Sequence, residues 1–200
     1  MPELFAGLKV EEGTDLIICY DYREISFEED LNRYDEIHMV AWSMGARMAE
    51  LAVGGKWTFA TATAVNGTPL PIDDAYGIPV DIFRGTLENL TAENLIRFNR
   101  RMCGSREALA RYMETQPRAL EDVRQELQHI YDMCHAIPET DAGMQAPHAT
   151  AIHWTRAVIG TDDRIFLSAN QRNYWSGRCP ITEIVSPHYP FHLWKQWNEL

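Results

Sequence analysis

The sequence predicts an α/β fold: a mostly parallel sheet with helices on both faces and a helical lid inserted between two of its strands. Three observations carry this expectation. An apolar run from Ile37 to Trp42 passes at Ser43 directly into a stretch rich in Ala, Met and Leu that favours helix. Strand, helix and strand then follow one another up to Val65, the order that builds a parallel sheet through a crossover. Beyond Asn66 helical signals dominate, and no strand pattern returns until Thr150.

Each element has its own signal. Asp15 to Tyr22 (DLIICYDY) reads as a buried strand and Ile37 to Trp42 as a second, joined by a polar connection from Arg23 to Tyr34. Both are continuous apolar runs, as parallel strands covered on both faces tend to be. Met44 to Val53 is a helix closed by Gly54 and Gly55, and Lys56 to Val65 (KWTFATATAV) is a third strand. Asn66 to Asp74 and Gly77 to Pro79 are turn chemistry. Thr91-Ala92-Glu93 starts one helix, Ser105-Arg106-Glu107 another, and Pro117 marks the first turn of a third that reaches His135. With Pro138 to Pro147 as the return linker, the expected division is a core of residues 1–69 and 148–200 around a lid of residues 70–147. Trp154 to Gly160 is the next strand, Ser168 caps a short helix, and Ile181 to Ser186 is the last strand. Phe191 to Leu200 reads as a closing amphipathic helix with Trp194 and Trp197 in the core.

Composition narrows the function classes. A chain of 200 residues with 46% apolar content can bury one full core, and no run approaches the length that crosses a bilayer. Met1 to Phe5 has neither the basic nor the apolar region of a secretory signal. Cys19, Cys103, Cys134 and Cys179 are widely spaced, which argues against a disulfide scaffold and a zinc site. A cytoplasmic protein without membrane contact is the expectation. His148 with His153 and His188 with His192 are paired, yet no carboxylate or cysteine sits beside them at a ligand spacing. Neither metal nor cofactor is expected.

A net charge of -11 opposes nonspecific nucleic-acid binding. Its distribution is uneven. Eight arginines face six acids between Arg84 and Arg124, a net of +2, which leaves -13 for the rest of the chain. Arg97, Arg100 and Arg101 fall at i, i+3 and i+4, so one helix face collects them. A solvated helix face and a patch for an acidic partner are both compatible with that spacing.

The chemistry concentrates at Ala41-Trp42-Ser43-Met44-Gly45, the G-x-S-x-G nucleophile elbow with alanine in its first place. So tight a strand-to-helix turn demands small residues on either side of the serine, and Ala41 and Gly45 provide them. The turn projects a hydroxyl above a helix start whose free N–H groups stabilise negative charge. A buried serine in an ordinary turn is the plainer alternative. The hydroxyl reacts only if a base takes its proton and an acid orients the base. Elbow-type hydrolases order these as serine, acid and histidine. Asp163, in the Gly160-Thr161-Asp162-Asp163 strand end, and His188, after the following strand, keep that order. Asp162 competes as the acid.

These segments, together with Cys19-Tyr20-Asp21-Tyr22-Arg23, Ala64-Val65-Asn66-Gly67-Thr68-Pro69, Arg100-Arg101-Met102-Cys103-Gly104 and Ala169-Asn170-Gln171-Arg172, resemble the α/β-hydrolases. Within them the resemblance is to the BioG-type pimeloyl-[acyl-carrier protein] methyl ester esterases of biotin synthesis, over almost the whole chain. It implies hydrolysis of that methyl ester to the free carboxylate and methanol. Ser43 would be the nucleophile, His188 the base and Asp163 its orienting acid, with the Met44 backbone N–H as an oxyanion donor. Trp42 would line the acyl pocket, or simply pack beneath the elbow. Arg97, Arg100 and Arg101 would meet the acidic acyl-carrier protein.

Family members carry a further strand and a glycine-containing loop before the point where this chain begins. The resemblance therefore implies a sheet without that first strand. Either the start site is misassigned or this version is truncated, and a truncated form would lose one oxyanion donor, worth about 3 kcal/mol or roughly a hundredfold in rate. Two other readings stay open: a hydrolase of small free esters or thioesters, and a scaffold that binds a carrier or acyl chain without turnover.

Overall fold

The computed structural model describes residues 2–115, 118–135 and 150–200. Four parallel strands, β1 (His38–Trp42), β2 (Thr61–Val65), β3 (Arg156–Gly160) and β4 (Ile181–Ile184), lie side by side in sequence order. Trp42 pairs with Val65, Val65 with Val158 and Gly160 with Ile184. The carboxyl ends of the strands are therefore nearly level, and all four exits open on one edge of the sheet.

Alternation along the strands sorts the two faces. One face presents Ala41, Ala62, Ala64, Ala157 and Ile159, mostly small, so α1 (Gly45–Val53) and α6 (Ser168–Trp175) pack close to it through Ala46, Val53, Tyr174 and Trp175. The other presents Val40, Trp42, Val65 and Val158. These share a cluster with Phe5, Leu8, Phe191 and Leu200, joined from above by Phe83, Met102 and Ile130.

Those last three residues belong to the helices between β2 and β3: α2 (Val80–Glu88), α3 (Ala92–Cys103), α4 (Arg106–Glu114) and α5 (Leu120–His135). α3 packs on α4, and α2 on α5. The expected caps are in place. Thr91 Oγ1 accepts the Asn94 N–H at 3.2 Å and Ser105 Oγ accepts the Ala108 N–H at 3.0 Å. Helix α2 was not expected, because Gly85 in its interior weakens the local preference. Asp74 Oδ1 accepts its Val80 N–H at 3.0 Å, and Phe83 and Leu87 bury one face.

Four expectations are corrected. Asp15 to Tyr22 forms no strand, and Leu16, Ile17 and Tyr20 are 43, 41 and 50% exposed. An apolar run becomes a strand only when its backbone pairs with a neighbouring strand, and among the described residues β1 pairs with β2 alone, so this segment stays outside the sheet. The third strand is shorter than KWTFATATAV, beginning at Thr61. Ser168 is the first residue of α6 and makes no cap bond; Leu167 holds the cap position. Phe191 to Leu200 forms two 3-10 turns, Phe191–Leu193 and Trp197–Glu199, instead of one helix. The backbone between them bridges to Lys9: the Lys9 N–H donates to Lys195 O at 2.9 Å and the Trp197 N–H to Lys9 O at 3.2 Å, which draws those groups away from helical partners. Trp194 and Trp197 still pack, half-buried, against the core. Pro117 and the linker from Pro138 to Pro147 lie outside the described residues.

Although unpaired in the sheet, the early segment is clamped to α5. The Tyr22 N–H donates to Glu126 Oε1 at 2.6 Å, Arg23 Nη1 meets Asp122 at 2.6 Å, and Arg118 bridges Asp21 at 3.1 Å and Glu126 at 2.7 Å. The hydrogen bonds from Arg23, with the Arg118 charge behind them, hold the Asp21 carboxyl down at about 2. A carboxyl held low in the folded state contributes stability that is complete above its ordinary range and lost as pH falls through its folded value. Between about pH 4 and about pH 2 the denaturation midpoint of the wild type should therefore fall more steeply than that of Asp21→Asn.

Candidate active site

Every element of the site leaves the carboxyl end of a strand, where open α/β sheets bind their ligands. Ser43 follows β1 and takes a left-handed backbone conformation, φ 57°, rare for any residue but glycine. Its N–H donates to Val65 O at 2.9 Å, which ties the elbow to β2. Gly67 lies so close beneath it that a Cβ there would stand 2.1 Å from Ser43 O. Gly45 is small for a reason not visible in the motif: a Cβ would meet the Tyr22 hydroxyl at 2.9 Å. Burial, with Glu126 nearby, pushes the Tyr22 phenol up.

Asp163 and His188 come to Ser43 from β3 and β4. His188 Nε2 lies 3.0 Å from Ser43 Oγ, and its Nδ1 lies 2.8 Å from Asp163 Oδ2. Both partners of the latter pair are out of water, with side-chain exposures of 3% and 0%. Asp163 Oδ1 accepts the Ile165 and Phe166 N–H groups at 2.8 and 2.9 Å, and Oδ2 also accepts Gln171 Nε2–H at 3.1 Å. Four donors converge on two oxygens, so the carboxylate acts as acceptor only. Nδ1 of the imidazole then carries the proton, and Nε2 of the neutral ring is left to accept from Ser43. Asp162, the competing acid, is exposed, and its N–H donates to Ser186 O at 3.1 Å.

Met44 holds the cap position of α1 without a side-chain cap bond. The Ala46 and Arg47 N–H groups donate to Ser43 O at 3.3 Å and Met44 O at 3.1 Å, and among the described residues the Met44 and Gly45 N–H groups have no such acceptor, which is the local requirement for binding a developing oxyanion. Trp42 is half-buried and packs edge-on against Phe5, Tyr189 and Phe191. Its Nε1–H donates to the His188 carbonyl at 2.8 Å. These contacts pack Trp42 under the histidine loop.

Arg97, Arg100 and Arg101 are exposed on α3, and among the described residues none of them forms an ion pair. The C-terminal end of α3 abuts the histidine loop: the Tyr189 N–H donates to Met102 O at 3.0 Å, and Gly104 has no room for a Cβ because of Pro187. His148 lies outside the described residues, and no group of three or more metal-ligating side chains occurs among those described.

Three further residues touch the site: Asn66, which the sequence reads as turn chemistry, bonds Gly160 and the His188 carbonyl; Gln171, read as part of a short helix, bonds Asp163; and Tyr22, read as part of a strand, packs against Gly45. Their common signal is a polar atom next to a buried strand end or a required glycine, which becomes informative only once the strand exits are known to be adjacent.

A family model described as pimeloyl-ACP methyl esterase BioG matches residues 1–200. An uncharacterised protein of Haemophilus influenzae is 40% identical over 199 residues, covering 100% of this chain and 88% of that protein. A malonyl-[acyl-carrier protein] O-methyltransferase of Bacteroides fragilis is 38% identical over 205 residues, covering 96% of this chain but 40% of that protein. The crystal structure of selenomethionine BioG from Haemophilus influenzae superposes with a TM-score of 0.89 at 40% identity, covering 100% of this chain and 88% of that one. No described helix is long and apolar enough to cross a membrane.

Gly67→Ala should lower folding stability by about 3 kcal/mol, because the atom it adds meets backbone and not a movable side chain. Denaturant titration checks this, and a midpoint equal to that of the wild type would contradict the close approach.

Proposed function

Because the chain belongs to the BioG family, we propose that it is a serine carboxylesterase: it hydrolyses the methyl ester of pimeloyl-[acyl-carrier protein] to pimeloyl-[acyl-carrier protein] and methanol in biotin synthesis. The observation that carries this reading is the unbroken hydrogen-bond relay from Ser43 through His188 to Asp163. Family membership supports the carrier-bound ester as substrate. The Bacteroides match takes in two fifths of that protein, so its methyl-transfer name is not extended to this chain.

In this mechanism His188 Nε2 takes the Ser43 proton as Oγ attacks the ester carbonyl. The negative charge passes to the carbonyl oxygen, and the Met44 N–H stabilises it. Collapse expels methoxide, which takes its proton from His188 and leaves as methanol. Water, deprotonated by His188, then attacks the acyl-serine ester, and regenerated Ser43 recovers the proton. Asp163 holds the ring and stabilises the imidazolium throughout. No metal or cofactor enters any step.

Residues 70–147 serve as the lid in this proposal. Its exposed Arg97, Arg100 and Arg101 draw the acidic carrier to the histidine side of the site, while the rest of the protein repels it. Trp42 forms the floor under the histidine loop and the wall of the acyl site. The cytoplasm, where carrier proteins and reduced cysteines coexist, is the assigned compartment.

Ser43→Ala should reduce demethylation of the carrier-bound ester by about 10⁴-fold or more at unchanged folding. Undiminished turnover would end the esterase reading. Charge reversal at Arg97, Arg100 and Arg101 should raise KM for the carrier-bound ester by about tenfold while sparing a small soluble ester. Equal effects on both substrates would remove the carrier assignment in favour of small free esters. Binding of the carrier-bound ester without any methanol release would favour the non-hydrolytic scaffold.

A further inference from the structure

Asn66 leaves β2 between the exits that carry the nucleophile and the acid, and it is wholly buried. Its backbone is left-handed, φ 48°, a conformation that asparagine tolerates far better than most side chains. The amide reaches both remaining segments of the site. Oδ1 accepts the Gly160 N–H at 2.6 Å, where the acid loop begins, and Nδ2 donates to Pro187 O at 3.1 Å and His188 O at 2.9 Å. The His188 carbonyl also accepts from Trp42 Nε1 at 2.8 Å, so the backbone of the base is held from two neighbouring strand exits at once.

We propose that Asn66 is a positioning residue that sets His188 and the Asp163 loop in register with Ser43, an inference that rests on the catalytic reading of those three. The amide suits the task because the site needs one acceptor and two donors within a single short side chain. Aspartate supplies the acceptor but, when ionised, no donor, and glycine keeps the backbone conformation with neither. A fold-stabilising asparagine would govern how many molecules are folded. A positioning one governs how fast each folded molecule reacts, because small displacements between nucleophile and base carry large rate penalties.

The experiment follows phosphonylation of Ser43 by a fluorophosphonate, read by intact mass, in the wild type, Asn66→Gly, Asn66→Asp and Ser43→Ala. Hydrolysis of p-nitrophenyl acetate is measured alongside. Both Asn66 variants should reach one adduct per chain with a rate constant lower by about tenfold or more, and kcat for the acetate should fall by a similar factor with KM within about twofold. Rate constants within about twofold of the wild type would overturn the proposal. So would a reduced final labelled fraction whose remaining molecules react at the wild-type rate. Should neither Asn66 variant fold, Trp42→Phe deletes the other donor to the same carbonyl. Slowed but complete labelling then supports the tether, and wild-type labelling refutes it. Ser43→Ala separates the two claims: adduct or turnover persisting there removes the catalytic reading and the role of Asn66 with it, whereas loss in Ser43→Ala beside unaltered Asn66 variants removes Asn66 alone.

Discussion

The backbone of Ser43 rests directly on the backbone of Gly67, and this close approach is the constraint around which the site is built. Two consecutive strand exits, at Ser43 and Asn66, both turn left-handed, at φ 57° and 48°. Each such residue costs on the order of 1–3 kcal/mol and persists only where its surroundings over-determine it. Here the parallel ladder does so, through the Ser43 N–H on Val65 O and the Asn66 N–H on Val158 O, each at 2.9 Å. The same geometry that lifts the serine hydroxyl out of the sheet edge also turns the Asn66 amide towards the loops of the acid and the base.

Burial makes the remaining interactions strong and selective. His188 and Asp163 sit where water does not compete, so their hydrogen bond acts in a low-dielectric setting. A buried carboxylate is tolerable there because four N–H donors meet it. Gln171 contributes one of these while donating also to Phe166 O, and its own Oε1 is a buried acceptor with no partner among the described residues. The arginines of α3 work in the opposite regime. Exposed and screened, each contributes little to stability, and in the proposed function their collective field acts on the approach of the acidic carrier.

The elbow was legible in the sequence because its demands are local: a β-type run, small residues on both sides of Ser43, and a helix-favouring stretch after it. Thr91 and Ser105 were legible for the same reason, since caps depend on residues within one turn. The acid and the base could be ordered along the chain, but their meeting depends on β3 and β4 being neighbours, which the short connection between them suggested. What failed was non-local. DLIICYDY has the composition of a strand, yet it pairs with no described strand. The Phe191 to Leu200 stretch has the aromatic spacing of a helix, but Lys9, far away in sequence, takes its backbone groups. Helix α2 was hidden by Gly85, whose local preference is outweighed by the burial of Phe83 and Leu87. Asn66 looked like a turn residue because its partners lie 94 to 122 positions away.

The central claim is that the Ser43 hydroxyl is made reactive by an imidazole which Asp163 orients. The most direct measurement is the rate at which a fluorophosphonate modifies the peptide containing Ser43 in wild type and in Asp163→Asn, an exchange that preserves shape while disturbing the tautomer that Nδ1 must hold. The account predicts a single adduct on Ser43 in the wild type and a rate lower by about 10⁴-fold in the variant. An adduct elsewhere on the chain, or equal rates in the two proteins, would contradict it.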